Sequence, residues 1–395
     1  MSFAEFSSFP RPKTVDLPGG RLDLKVFRSD WPLDDLCGFA GRYNPARAFL
    51  FVSKVLGKHY PVRPSVMSRV HGLMADKIST LDIQSPTVMI AMAETATGLG
   101  HGLFEACLRL RPGSDRIFLH TTRYALERPF AFQISEDHCH AREHLIYEPD
   151  SARGREIFNS ARTLILVDDE MSTGQTLLNL AKAFAAVTPT VERLVLVSLT
   201  CWLDREKRAA LASGFGRATE FVSVLDGTFS FTPQAGGAGE SPSFKSVGGW
   251  VPKDGLLPGN FGRLGLVSTD GHPGRPVRLG QMRRKLELDP QHPVLVLGTG
   301  EFLHYPYLLA GFLEEEGFET YFQSTTRTPA AVGLDIAQAL RFADNYFDGI
   351  DNFLYNVAAD SDSQKIICYE TASLPPEHDL PRLIGAQTVF FDEAF

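Results

Sequence analysis

Two adjacent aspartates, Asp168 and Asp169, follow an apolar run in the segment LILVDDEMSTGQT at 164–176. The run predicts a buried strand, residues 170–175 predict a tight loop, and a helix is expected from Thr176. Ligands of open α/β sheets lie at the carboxyl ends of strands. Adjacent carboxylates repel each other, and this repulsion is offset when they bind a cation or accept hydrogen bonds from sugar hydroxyls. The acidic pair is therefore a candidate site for either ligand.

The small residues after this pair predict a phosphate site. Backbone N–H groups at a helix N-terminus attract phosphate, and a glycine lets the backbone approach closely because it has no Cβ. An acidic surface turn after a core strand is the alternative interpretation. The candidate phosphate-binding residues are Ser172, Thr173, Gly174, Gln175 and Thr176.

The segment resembles the signature of type I phosphoribosyltransferases, which bind phosphoribosyl pyrophosphate (PRPP) with Mg²⁺. The resemblance implies that Asp168 and Asp169 face the ribose and Mg²⁺, and that the loop and helix start hold the 5′-phosphate. The sequence departs from the signature at Glu170 and Gln175, where an aliphatic residue and a glycine are common.

A second small-residue turn, AETATGLGHG at 93–102, follows the predicted strand 88–93 and precedes a predicted helix. It resembles the pyrophosphate loop of the same fold, in which backbone N–H groups and hydroxyls face pyrophosphate and Glu94 holds magnesium-bound water. Taken alone, it is an ordinary glycine-rich turn. The residues implied are Glu94, Thr95, Ala96, Thr97 and Gly98.

Basic side chains follow the next predicted strand. Arg123 is suited to bind pyrophosphate because a guanidinium contacts phosphate oxygens in pairs; a solvated arginine is the alternative. In this fold a mobile loop then closes over the reaction, and here SEDHCHAREHLIYEP at 135–149 takes that place. His138, His140 and His144 are candidates to bind or protonate pyrophosphate. A zinc site and an exposed polar loop are the alternatives.

Alternating apolar strands and helices predict a parallel sheet covered on both faces. The boundaries predicted are a phosphoribosyltransferase domain with an N-terminal hood at 1–232, a Gly/Pro-rich linker at 233–262 and a second, smaller α/β domain at 263–395. The basic, aromatic segment 41–65 is expected to be the hood over the acceptor, or else a solvated amphipathic helix. The two domains are also candidates for a distant repeat, with Glu94–Arg123 aligned on Gly298–Arg327.

The second domain contains a strand–GTGE–helix turn and a cluster of hydroxyls beside Arg327, both suited to an anion. We expect a ligand-binding role; a degenerate phosphoribosyltransferase half, a second active site, a lid and a simple domain contact by Arg327 remain alternatives. The candidate residues are Gly298, Thr299, Gly300, Glu301, Thr326, Arg327 and Thr328.

Four segments together resemble the orotate-phosphoribosyltransferase-like proteins of bacterial tellurium-resistance gene clusters, whose C-terminal part is the TRSP domain: RYNPARAFLFVSKVLGKH, ETATGLGHGLFE, EDHCHAREH and VDDEMSTGQT. The resemblance implies transfer of phosphoribose to a nucleobase-like acceptor in making a nucleoside-like metabolite, beside ATP-grasp and HAD-type enzymes. A homodimer is a further expectation. A PRPP-sensing regulator and the reverse, base-releasing reaction are the alternatives.

The composition sets broad limits on these functions. The 395 residues are 44% hydrophobic and 22% charged, with a net charge of −8 that argues against an extended nucleic-acid surface. Five widely spaced cysteines predict neither a disulfide framework nor structural zinc, which favours the cytoplasm. The sequence shows no signal peptide and no apolar stretch near the roughly 20 residues that span a bilayer.

Overall fold

A computed structural model of the chain describes residues 11–43, 47–134, 144–234, 244–245, 252–268 and 275–391. Within these ranges the chain forms two α/β units, the second smaller than the first. The predicted fold class is therefore confirmed, and none of the described helices is long and apolar enough to cross a membrane.

The first unit has a sheet flanked by helices and two separate hairpins. Its strands are β1 (Arg11–Leu17), β2 (Gly20–Ser29), β3 (Cys37–Gly41), β4 (Phe49–Ser53), β5 (Thr87–Ala91), β6 (Arg116–His120), β7 (Phe130–Ile134), β8 (His144–Tyr147), β9 (Thr163–Met171), β10 (Arg193–Cys201), β11 (Ala218–Pro233) and β12 (Leu266–Val267). Its helices are α1 (Leu33–Leu36), α2 (Pro64–Ser79), α3 (Ala96–Leu110), α4 (Ala152–Asn159), α5 (Gln175–Val187) and α6 (Arg205–Phe215).

The main sheet of the described chain has the order β1-β2-β11-β10-β9-β5-β6-β12. Strands β11, β10, β9, β5 and β6 are parallel, whereas β1, β2 and β12 are added antiparallel at the edges. Side chains alternate between two apolar clusters: Met89 packs on one face and Val88 on the other. This burial on both faces explains the continuous apolar runs of the sequence.

Two antiparallel hairpins stand apart from the main sheet. The β3–β4 hairpin pairs Cys37 with Ser53 and overlaps part of the segment 41–65 that was predicted to be the hood; this hairpin is called the hood below. The alternative of an amphipathic helix at 41–65 is not what the described residues form, because 49–53 is a strand and the next helix begins at Pro64. The β7–β8 hairpin follows β6 in the chain.

After the helix α7 (Arg275–Arg284), the second unit forms a four-stranded sheet in the order β14-β13-β17-β18, with every neighbouring pair parallel. A separate antiparallel hairpin pairs β15 with β16. The elements are β13 (Val294–Gly298), α8 (His304–Glu315), β14 (Thr320–Ser324), β15 (Ala339–Ala343), β16 (Asp351–Tyr355), β17 (Gln364–Tyr369), α9 (Leu380–Ile384) and β18 (Gln387–Phe390).

The second unit repeats the central part of the first. The order β14-β13-β17-β18 corresponds to β6-β5-β9-β10, and each unit inserts a hairpin after its second parallel strand. Thr122 pairs with Leu145 of β8, just as Thr326 pairs with Phe353 of β16. The expected repeat is therefore present in the architecture.

The register of the strands changes the alignment of this repeat. Ala91 lies opposite His120 at the end of β5, and Gly298 lies opposite Ser324 at the end of β13. Glu94, three residues beyond Ala91, therefore corresponds to Glu301 rather than to Gly298, because the segment between the two strand ends is shorter in the second unit.

Candidate active site

The acidic pair lies where a ligand of the main sheet is expected. Val167 of β9 is paired with Ala91 of β5 and Val197 of β10. Strand β5 ends there, while β9 continues through Met171 because β10 supplies ladder partners as far as Cys201. Asp168 and Asp169 therefore extend past the end of β5 and lie beside the turn at 92–95, since the Met92 N–H donates to the Val167 carbonyl at 2.9 Å.

The phosphate loop is shorter than predicted. The strand continues to Met171 and helix α5 begins at Gln175, so the loop comprises Ser172, Thr173 and Gly174. Gly174 has φ +70°, a left-handed backbone conformation that favours glycine, and a Cβ there would lie 2.5 Å from Leu211 Cδ1. Thr173 and Gln175 are exposed and Ser172 is half-buried, which leaves the loop open to a ligand.

Burial changes the protonation of the acidic pair. It raises the pKa of Asp168 well above its ordinary value, and the neighbouring charge of Asp169 adds to the increase. Burial also raises the pKa of Asp169, against the hydrogen bond that it shares with Asp168. A cation or a set of hydroxyl donors at this position would favour the ionised forms.

The hood is tied to the site by an ion pair. Arg47, which precedes β4, contacts Glu170 with Nη2 to Oε1 at 2.6 Å. The Glu170 side chain is only 13% exposed, so it does not point freely into solvent. Burial raises its pKa to about 7, although Arg47 acts in the opposite direction. Glu170 also lines a small pocket between the hood and the strand ends, with Cys37, Ser53 and Thr200.

Replacing Glu170 with Gln is expected to flatten the pH dependence of stability. A carboxyl whose pKa rises from 4.5 to about 7 on folding contributes stability that is present below pH 4.5 and is lost as the pH rises through about 7. The loss is at most about 3 kcal/mol. Urea unfolding across this range should show wild-type stability falling relative to Glu170→Gln. Glu192→Gln, which alters an exposed pair with Arg162, is the control; parallel pH curves for wild type and Glu170→Gln would contradict the assignment.

The predicted pyrophosphate turn lies at the boundary with the second unit. The Glu94 carboxylate forms an ion pair with Lys58, whose Nζ lies 2.6 Å from Oε1. The other carboxylate oxygen lies 3.6 Å from Arg327 Nε. Burial raises the pKa of Glu94, but Lys58 and Arg327 outweigh it, so that the pKa is lowered and the carboxylate is ionised. Thr97 donates to the Glu301 carbonyl at 2.9 Å, and a Cβ on Gly98 would lie 2.8 Å from Leu303 Cβ.

Within this turn, Thr95 is half-buried and Ala96 begins helix α3. The Ala96 N–H donates to the Met92 carbonyl at 3.1 Å. The turn therefore has one side against the second unit and the other near the acidic pair.

The residues after β6 join the two units. The Arg123 N–H donates to Glu301 Oε1 at 2.8 Å, and the Thr122 hydroxyl donates to Oε2 at 2.6 Å. The side chain of Arg123 lies 3.5 Å from His144 Nε2, and His144 Nδ1 shares a hydrogen bond with Thr121 at 2.9 Å. His144 is thus a buried neighbour of Arg123. His138 and His140 lie outside the described residues.

The candidate residues of the second unit are close together but are engaged with one another or with the first unit. Lys58 donates to the carbonyls of Gly300 and Thr325, at 2.9 and 2.8 Å. Thr299 and Thr326 are buried, whereas Thr328 is half-buried. Gly298 ends β13, and the Glu301 carboxylate is bound by the first unit as described above.

An arginine that sequence reasoning missed completes this boundary. Arg263 precedes β12, and its guanidinium contacts Glu370 at 2.5 and 2.7 Å and Glu301 at 3.2 Å. Burial lowers the pKa of Arg263, but the two glutamates reverse the direction and raise it. The segment lies in a Gly/Pro-rich stretch, and Glu370 is more than 100 positions away in sequence, so no local pattern marks the cluster.

A separate polar group lies between helices α3 and α8. His101 stacks on His304 at 3.7 Å, and His304 Nε2 lies 3.2 Å from Glu105 Oε1. Arg275 contacts the same oxygen at 2.5 Å. These side chains, which are remote from β9 in sequence, form contacts between the two units.

The described cysteines, Cys37, Cys107, Cys201 and Cys368, are buried and free.

The carboxylates at the strand ends fit Mg²⁺ in chemical type. Magnesium is bound through carboxylate and phosphate oxygens, and Asp168 and Asp169 supply carboxylate oxygens at one edge of the sheet, whereas the Glu94 carboxylate is paired with Lys58. The side chains present are therefore compatible with the expected metal.

Comparisons with known protein families give a match for each part of the chain. Residues 36–228 match the family described as phosphoribosyl transferase. Residues 261–384 match the family described as the TRSP domain C terminus to that transferase. A comparison with curated proteins gives no match.

Similar solved structures are distant from this chain in sequence. Adenine phosphoribosyl transferase from Trypanosoma brucei is 12% identical, with a TM-score of 0.36, covering 55% of this chain and 87% of its own. The adenine enzyme from Giardia lamblia is 14% identical, with a TM-score of 0.32, covering 48% and 93%. A hypoxanthine phosphoribosyltransferase from Staphylococcus aureus is 12% identical, with a TM-score of 0.25, covering 39% and 72%.

Proposed function

We propose that this chain, which carries a phosphoribosyltransferase-family domain followed by a C-terminal TRSP domain, transfers phosphoribose from PRPP to a nucleobase-like acceptor and releases pyrophosphate. The observation that carries the proposal is the meeting of an acidic strand end, an open Ser-Thr-Gly loop and a second small-residue turn at one edge of a parallel sheet.

The proposed roles follow from position. The N–H groups of Ser172–Thr176 bind the 5′-phosphate, since they lie at the start of helix α5. Asp168 and Asp169 accept hydrogen bonds from the ribose hydroxyls and hold Mg²⁺, while Glu94, which is paired with Lys58, contacts a water of the ion. When bound, Mg²⁺ supplies positive charge beside the pyrophosphate oxygens.

The chemical step breaks the bond between the anomeric carbon and a pyrophosphate oxygen and forms a bond from that carbon to a nitrogen of the acceptor, which releases its proton to the solvent. Pyrophosphate leaves with the electron pair. Positively charged groups and N–H donors near the leaving oxygens stabilise their negative charge, so positioning and electrostatics provide the catalysis. Arg123 is the proposed donor from the first unit. His144 orients it, and His138 or His140 is the proposed proton donor.

The acceptor is proposed to enter between the hood and the strand ends. The small pocket there has Cys37, Ser53 and Glu170 among its lining residues, and Glu170 is paired with Arg47. These side chains offer both hydrogen-bond donors and hydrogen-bond acceptors, which suits the edge of a heterocyclic base. The wider proposal is a role in making a nucleoside-like metabolite in a tellurium-resistance module, with ATP-grasp and HAD-type enzymes as pathway partners.

Transfer of a labelled ribosyl group tests this function. The intact chain, Mg²⁺ and PRPP carrying ¹³C in the ribose are incubated with a metabolite extract, and the products are read by mass spectrometry. We expect a new labelled ribonucleotide-like ion together with pyrophosphate. The Asp168→Asn, Asp169→Asn variant is the control and should give neither. Binding of PRPP without any labelled product would instead favour a PRPP-sensing protein.

A further inference from the structure

The two units exchange contacts across a pseudo-two-fold arrangement. Glu94 of the first unit is contacted by Arg327 of the second. Its counterpart Glu301 is bound by Thr122 and by the Arg123 N–H of the first. Equivalent residues of two repeated folds therefore meet in reciprocal pairs, as they do across a two-fold interface between identical subunits.

In the second unit, the acidic residue that corresponds to Asp169 is paired with an arginine of the same chain. Val167 and Cys368 are equivalent in register, so Glu370 corresponds to Asp169. The guanidinium of Arg263 lies between Glu370 and Glu301 and is almost wholly buried. A fixed arginine thus stands between the counterparts of Asp169 and Glu94, where the first unit offers carboxylates to a substrate and its cation.

Arg327 is directed toward the first unit. Its guanidinium lies over the Tyr124 ring at 4.8 Å, and its ion pairs with Glu94 and Asp348 are 3.6 and 3.8 Å long. Both distances exceed those of good hydrogen bonds. The side chain is 17% exposed, and an arginine stays charged and matches phosphate oxygens with parallel donors. It lies against the turn that the sequence predicts to bind pyrophosphate.

We propose that the C-terminal unit serves as a built-in partner subunit, and that its Arg327 binds the pyrophosphate group of PRPP in the site of the first unit. This inference rests on the proposed function. It assigns Arg327 to the first site rather than to a separate anion site in the second unit, and it makes the intact chain the functional unit.

Binding of two ligands separates this role from a structural one. PRPP and ribose 5-phosphate share the 5′-phosphate and ribose, but only PRPP carries pyrophosphate. With Mg²⁺ present, Arg327→Met is expected to weaken PRPP binding by about tenfold to a hundredfold, the effect of losing a charge-assisted contact. Its affinity for ribose 5-phosphate should stay that of wild type. Calorimetry with the full chain measures both.

Matched variants keep the test clear of general charge and folding effects. Arg382→Met removes an exposed arginine of the same unit, with 78% of its side chain accessible, and should change neither affinity. Arg327→Lys keeps the charge but not the paired donors, and should give an intermediate loss of PRPP affinity even if Arg327→Met folds poorly. Unchanged PRPP affinity, or equal loss for both ligands, would overturn the inference. Failure of wild type to bind PRPP would instead reject the proposed function.

Discussion

Replacing Asp168 and Asp169 together with asparagine is expected to abolish magnesium-dependent binding of PRPP. Both residues lie beyond the end of β5, where their carboxylates stand beside the Glu94 turn and the phosphate loop. Asparagine keeps the size but loses the negative charge that Mg²⁺ requires. An affinity loss of more than about a hundredfold follows if each charged contact contributes about 1.5–3 kcal/mol. Calorimetry of the intact variant measures it.

The fold should survive this change. Burial raises the pKa values of both carboxyls, so their charges do not stabilise the ligand-free protein. The asparagine variant should therefore unfold at a temperature at or above that of wild type.

The same pKa shifts predict that wild-type affinity for PRPP with Mg²⁺ rises with pH, because binding must displace protons from the pair. If the folded asparagine variant kept its affinity for PRPP, the assignment of Asp168 and Asp169 to the binding site would be wrong.

Replacing Arg263 with Met is expected to have the largest effect on stability. The change leaves Glu370 and Glu301 buried without the guanidinium that contacts both. Breaking a buried ion pair by removing one partner costs about 3–5 kcal/mol. Urea unfolding of the intact chain, followed by fluorescence and by circular dichroism, should show a lower midpoint.

A second variant identifies the cause of that loss. In Arg263→Met with Glu370→Met, one buried charge is removed together with its partner, and Glu301 keeps the donors Thr122 and Arg123. Most of the lost stability should return. If Arg263→Met alone were as stable as wild type, or if the double variant were less stable than the single one, the proposed occupation of the second site by Arg263 would be wrong.

Sequence alone predicted the strand, loop and helix around the acidic pair because their signals are local. The apolar run before Asp168, the small residues after it and the following helix lie within a few positions of each other, and the sheet places them together as expected. The same reasoning misplaced the strand end by several residues, because the partners that extend β9 are in β10. The role of Glu170 was also missed, since its partner Arg47 lies 123 positions away.

The contacts between the two units could not be predicted from local sequence patterns. Lys58 and Arg263 look like ordinary basic residues in sequence, and Arg327 was expected at an anion site of its own unit. Only the packing of two repeated folds brings these side chains onto the glutamates of the two turns. The repeat was visible as spacing, but its alignment required the strand register. Thr-Thr-Arg at 325–327 therefore predicted an anion site, while the structure places Arg327 beside the turn of the other unit.

A crystal structure of the intact chain with Mg²⁺ and a non-hydrolysable PRPP analogue tests the central claim most directly. The 5′-phosphate should lie within hydrogen-bond distance of the N–H groups of Ser172–Thr176, the ribose hydroxyls against Asp168 and Asp169, and the pyrophosphate beside Glu94 with Arg327 in contact. An analogue bound elsewhere, or bound with its phosphate away from the loop at 172–176, would contradict the account.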